Sequence, residues 1–166
     1  MQVDSDSRIM NGKRMWKGIF CLGITLLLTS AAVGCSCELP DFKATPTERI
    51  KGALKSSEAV FVGKVIKVEK PSALSTRITL QVQTAWKGIS NAQVMIATGV
   101  GGGDCGFQFE VGEVYLVYAY KLDKNGGPTL GTNICQRTAL FAQSDFDIGV
   151  LDKAKRARRF QNQTVL

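Results

Sequence analysis

Two cysteines one residue apart, Cys35 and Cys37, follow the small residues Ala32, Val33 and Gly34. Small residues at the two positions a signal peptidase reads put a cleavage point after Gly34, so the exported chain is expected to begin with Cys35. A chain-terminal α-amine beside its own carbonyl is a bidentate chelator of a metal ion, provided it is neutral and held still. Disulfides from Cys35 and Cys37 to the protein body would supply that restraint by removing the freedom of the chain end.

The preceding residues read as an export signal. Lys13, Arg14 and Lys17 form a positive region ahead of an uncharged apolar run over residues 19–30. That run is short for a membrane-spanning helix, and its flank is cleavable. Met10 and Met15 fit as alternative start residues. The expected location is secreted, extracellular or periplasmic. Ala32-Val33-Gly34-Cys35 also resembles a lipoprotein cleavage box, with Ala32 where leucine is usual. A lipid on Cys35 would anchor the chain in the cell envelope, occupy the thiol and leave an odd cysteine count. Parity and Ala32 favour ordinary cleavage.

Of five cysteines, Cys21 lies in the signal, leaving Cys35, Cys37, Cys105 and Cys135. An even number in an exported chain implies two disulfides. Three pairings are open, though a Cys35–Cys37 bond would close a strained ring, so distant partners are expected. Structural disulfides outrank soft-metal binding or thiol exchange, given four cysteines in an oxidising compartment.

The absence of histidine removes imidazole acid–base catalysis, the histidine-dependent nucleophile arrangements and most zinc sites built from the protein's own imidazoles. The acidic residues are scattered, and no pair of them marks an acid–base site. A non-enzymatic protein without a cofactor or resident metal is expected. Gly99 to Gly106 is glycine-rich but lacks the Lys-Ser/Thr of a phosphate loop, so its glycines are read as backbone freedom around Cys105. Residues 1–34 carry four of the 21 basic and two of the 14 acidic residues, leaving the remainder with five surplus positive charges. Much of that surplus lies in Lys153-Ala154-Lys155-Arg156-Ala157-Arg158-Arg159. Nucleic acid is not the expected partner, because the tyrosines sit in a hydrophobic run rather than among arginines. A solvated helix end is the expected structural use of the basic run.

The 132 residues from Cys35 onward suit one domain. Thr45-Pro46-Thr47-Glu48 is a capping box with proline at the first helical position, and Ile50, Ala53 and Leu54 give that helix an apolar face ending at Ser56 and Ser57. Period-two patterns then predict strands. Val60, Val62, Ile66 and Val68 share one face of the first, and Ile78, Leu80, Val82, Thr84 and Trp86 share one face of the second. Further strands are expected at 94–98, 107–110, 115–120 and 130–135, with a hairpin loop at 124–128. Residues 140–151 look partly helical. The organisation expected is a signal at 1–34, a domain at 35–151 and a basic polar tail at 152–166. Its fold class is mainly β: a small, closed or partly open barrel with flanking helices.

Cys35-Ser36-Cys37, Ala59-Val60-Phe61-Val62-Gly63-Lys64-Val65, Asp104-Cys105-Gly106-Phe107, Glu113-Val114-Tyr115-Leu116 and Asn133-Ile134-Cys135 occur in that order. Together they resemble the N-terminal domain of the tissue inhibitors of metalloproteinases, within the wider netrin-like modules, from Cys35 to about Leu151. The resemblance implies an OB-like five-stranded barrel and the pairings Cys35–Cys105 and Cys37–Cys135. It further implies a monomer whose partner is a zinc metalloproteinase. The Cys35 amine and carbonyl would chelate the target's zinc, and Ser36 would enter the adjoining pocket. Cys37, Glu38 and Leu39 would extend the contact ridge, with Gly103 and Asp104 alongside. The family's third disulfide and cysteine-rich C-terminal part have no counterpart here, and Glu38 adds negative charge to the ridge. The alternative from another class is an envelope-anchored, netrin-like interaction module lipidated on Cys35.

Overall fold

A computed structural model describes residues 34–39, 41–123 and 127–163, of which 158–163 are described by their backbone. The export signal and the tip of the 124–128 loop lie outside the described residues. The first regular element is α1, Pro46–Ser56. Its start is set locally. The Glu48 backbone N–H donates to Thr45 Oγ1 at 3.2 Å, and the Thr45 N–H donates back to the Glu48 carboxylate at 2.8 Å. Its end is set by a distant residue. Lys87 Nζ donates to the carbonyls of Leu54 at 3.3 Å and Lys55 at 2.8 Å, and also to that of Ser57. A cation placed on the last carbonyls satisfies acceptors that the helix leaves open and opposes its dipole.

Among the described residues six strands form one sheet: β1 Ala59–Ser72, β2 Ser75–Lys87, β3 Gln93–Thr98, β4 Val114–Lys121, β5 Leu130–Gly131 and β6 Ala139–Leu140. β1 pairs antiparallel with both β2 and β4, and β2 pairs antiparallel with β3. β3 runs parallel to β5, which pairs antiparallel with β4. The pairings therefore lead from β1 through β2, β3, β5 and β4 back to β1. The short β6 adds to β4 at Tyr115 and Leu116. A 3-10 turn, Phe141–Gln143, then leads into α2, Asp145–Gln163. Among the described residues, no helix is long and apolar enough to cross a membrane.

Both faces of the central strands are buried, against different partners. Ala59, Phe61 and Val65 of β1 join Tyr115, Val117 and Ala119 of β4 in one cluster with Ile78, Leu80 and Ile96. The intervening Val60, Val62, Leu116 and Tyr118 face the helices, packing with Ile50, Leu54, Trp86 and Leu151. Alternation survives as a choice between two cores rather than between core and water.

Five expectations need correction. Trp86 does not share the face of Ile78, Leu80 and Val82 but packs in the cluster with the helices, because the register shift at Val62/Gly63 puts an extra residue, Gln83, into β2. Ile66 does not share the buried face of Val60 and Val62 but is 39% exposed. The period holds as far as Val65, which faces the same cluster as Phe61; the register shift between Val65 and Lys67 then leaves Ile66 as the extra residue of a bulge. Residues 107–110 are not in a ladder. The Phe107 N–H instead donates to Thr98 Oγ1 at 2.8 Å, and Phe107, Phe109 and Tyr115 stack on one another. The last predicted strand pairs only at Leu130–Gly131. Finally, α2 runs without a break through residue 152, where the basic tail was expected to begin, and carries the basic run in its last turns, the helix-end use that was also expected.

Between its partners β6 and β5, β4 has a gap at Tyr118. Side chains fill it: the Tyr118 N–H donates to Thr138 Oγ1 at 3.0 Å, and Thr132 Oγ1 donates to the Tyr118 carbonyl at 3.0 Å. Both threonines are buried, so these bonds satisfy backbone groups that water cannot reach. The Tyr118 phenol donates to Asp147 Oδ2 at 3.0 Å, and burial, followed by the carboxylate, raises its pKa well above the usual phenolic value. Tyr118→Phe should lower stability by about 1 kcal/mol in urea unfolding, with the slope unchanged.

Candidate functional site

The parallel pairing of β3 with β5 decides where the site lies. Ile96 stands opposite Leu130 and Ala97 opposite Gly131, so the segments that follow leave the sheet at the same end. One carries Cys105 and the other Cys135. The Thr132 N–H donates to the Ala97 carbonyl at 3.0 Å, and the Ile134 N–H donates to the Cys105 carbonyl at 3.0 Å, so the two loops are bonded to each other.

The segment 34–39 has no regular structure and lies against this pair of loops through two disulfides. Cys35 is joined to Cys105 with the Cα atoms 5.3 Å apart, and Cys37 to Cys135 at 5.2 Å. The sulfurs of Cys35, Cys105 and Cys135 lie within 4.8 Å of one another, so the cross-links sit side by side. As disulfides they are not thiolates, the form in which cysteine ligates metals. Cys35 is half-buried, whereas Ser36, Cys37, Glu38 and Leu39 are exposed. The predicted ridge is thus one continuous exposed strip.

The loop before Cys105 is organised by Asp104. Its carboxylate accepts the backbone N–H groups of Val100 at 2.7 Å, Gly101 at 2.9 Å and Gly106 at 3.0 Å. The Val100 and Gly106 bonds, with the Gly101 bond adding to them, hold its pKa below the ordinary value of 3.8. Cys105 has φ 59°, in the left-handed region, where a side chain is strained. A Cβ on Gly106 would collide with the backbone of Gly99 and Gly101, so glycine is required there by close approach. Gly103 and Asp104 are exposed, and the Asp104 carboxylate is turned into its own loop. Asp104 can contribute to a contact through the shape of this loop.

Several supporting residues were not singled out from the sequence. Asn133 Oδ1 accepts the Cys135 N–H at 3.0 Å, an Asx turn for which Asn two residues before Cys is the readable signal. Arg137 forms a bidentate pair with Asp147 through Nε at 2.9 Å and Nη2 at 2.7 Å, tying the Cys135 loop to α2. No local pattern announces that pair. Beneath the ridge, an open groove of about 920 Å³ is lined by Glu38, Leu39, Arg49 and Ile134, among others. Leu39 is 78% and Ile134 51% exposed, so the strip has an apolar rim as well as a polar tip.

No family model matches this chain, and no curated protein matches it.

Because the folded-state pKa of Asp104 is depressed, its contribution is present above the unfolded value near 3.8 and is lost as pH falls through the lower folded value. Asp104→Asn should mimic that loss at neutral pH. Hydrogen exchange at Val100, Gly101 and Gly106 should accelerate by about tenfold or more, while amides of β1 and β2 keep their rates.

Proposed function

We propose that this chain, cut before Cys35, is a secreted, monomeric, non-enzymatic inhibitor of a zinc metalloproteinase, built on an OB-like barrel. The observation that carries this reading is the double tether, which leaves Cys35 to Leu39 as an exposed strip with its first residue fixed. The ring of strand pairings, with helices over one face, is what an OB-like barrel requires. The Cys35–Cys105 bond uses the thiol that a lipid would need, which favours a free amine over the envelope-anchored alternative.

A protease zinc keeps an open coordination position normally filled by water. The neutral Cys35 amine and its carbonyl would displace that water and close a five-membered ring on the metal. Ser36, exposed between the tethered residues, would point into the neighbouring pocket. Glu38 and Leu39 would continue along the cleft, and the Gly103–Asp104 loop would pack beside them. Ordering a segment on association is costly, and the disulfides have already restricted this one.

The amine must lose its proton to bind zinc. Inhibition should therefore strengthen as pH rises toward an ordinary α-amine pKa of about 7.7–8.0, and weaken by about tenfold per unit below it. Retaining Gly34 ahead of Cys35 should weaken inhibition of a susceptible zinc endopeptidase by about 100-fold or more, since the Cys35 nitrogen becomes a non-basic amide and the chelate ring cannot form. Inhibition constants measured for chains with and without that extra residue test this. Equal potency would remove the chelation mechanism.

A further inference from the structure

α1 separates two grooves. Its Arg49, Gly52, Ala53 and Ser56 border the groove beneath the ridge, whereas Lys51, Leu54 and Lys55 border a second one toward α2. The two sets fall on different sides of the helix, as spacings of three and four residues require. The second groove has a volume of about 650 Å³ and plays no part in the proposed zinc contact.

We infer that this second groove docks an acidic, amphipathic helical segment of a partner protein. Its floor is apolar and shallow-sided: Leu54 of α1 faces Ala154 and Ala157 of α2. Its rim is cationic, with Lys51, Lys55 and Lys153 all exposed. Lys87 adds a fixed positive charge, because its ammonium is held on the α1 carbonyls. Among the described residues, no acidic side chain lines the groove. The nearby Asp152 carboxylate accepts the Trp86 indole N–H at 2.8 Å.

This combination selects among anionic partners. A single-stranded nucleic acid gains from aromatic platforms, and none lines the groove among the described residues. Tight recognition of isolated phosphate or carboxylate groups favours the arginine fork, whereas the cations of the described lining are all lysines. A lipid surface is broad and flat, whereas this site is a concavity between two helices. A helix with an apolar stripe flanked by glutamate or aspartate matches both floor and rim: the stripe covers Leu54, Ala154 and Ala157 while the acids reach the lysines. The lysines would speed encounter and set orientation, and the floor would supply attraction that salt does not screen.

The test uses the oxidised chain beginning at Cys35 and a fluorescent peptide of about 18 residues, with leucines at helical i, i+3 and i+7 spacing and glutamates on the flanks. A scrambled peptide of identical composition, polyglutamate, a single-stranded oligonucleotide and vesicles containing anionic phospholipid serve as comparisons. The amphipathic peptide should bind at least about tenfold more tightly than any of them, and retain measurable binding at high salt. Lys51→Glu with Lys153→Glu should weaken it by about tenfold or more, and the milder Lys51→Gln with Lys153→Gln by several-fold, at unchanged melting temperature. Absent binding, equal binding of the scramble or polyglutamate, or tighter binding of the oligonucleotide or vesicles would each overturn the inference. Because α1 presents the grooves on different sides, neither double variant should alter protease inhibition. That readout keeps failure here distinct from failure of the zinc-chelation reading.

Discussion

A chain end fixed at one point can still swing; fixed at two points two residues apart, it cannot. Cys35 and Cys37 supply those points, and the geometry of the exposed strip depends on them. Ordering a residue from the free chain costs about 1–2 kcal/mol of backbone entropy, so three or four residues ordered only on binding would consume much of an interface's attraction. The tethers transfer that cost from association to folding. Their loops span sequence separations of 70 and 98 residues. By the chain-entropy argument each restricts the unfolded chain by about 4 to 5 kcal/mol, an upper value because the loops overlap.

Tethers are only as rigid as what they are tied to. The parallel β3–β5 neighbours bring both partner loops to one end of the sheet, and hydrogen bonds then stiffen each loop separately. Asp104 gathers three amides around the Cys105 loop, and Asn133 turns the chain into Cys135. Arg137 and Asp147 connect the second loop to α2, which is itself anchored by fully buried Leu151. The core of the sheet thus reaches the chain end through short polar links rather than through packing alone. Charged and polar residues near the ridge thus hold its shape.

Much of this was legible in sequence where the cause is local. Thr45, Pro46 and Glu48 specify the start of α1 within one helical turn, so the capping box sufficed. Period two located β1, β2, β3 and β4, because backbone alternation persists wherever both faces are buried. Ile66 was misplaced because register shifts in β1 depend on pairing with β2, a partner distant in sequence. Residues 107–110 carry strand-like side chains, but their backbone bonding goes to Thr98 rather than to a neighbour strand. The 130–135 strand stops early because Thr132 and Thr138 replace ladder bonds with hydroxyl bonds to Tyr118. At the site, the importance of Cys35 and Cys37 followed from spacing. Cysteine counting left their partners open; the resemblance implied Cys105 and Cys135, and the three-dimensional return of the chain joins them there. The lysine groove was hidden for the same reason, since Lys51 and Lys153 come from opposite ends of the domain.

The central claim is that the exported protein carries an unmodified Cys35 amine on a doubly cross-linked chain end. Its most direct test is the intact mass of the unreduced protein recovered from its native envelope or medium, followed by mapping of the linked peptides. The account predicts a chain beginning at Cys35, four hydrogens lighter than its fully reduced mass, with Cys35 linked to Cys105 and Cys37 to Cys135. A lipid or acyl group on Cys35, residues retained ahead of it, or free thiols among the four cysteines would contradict it.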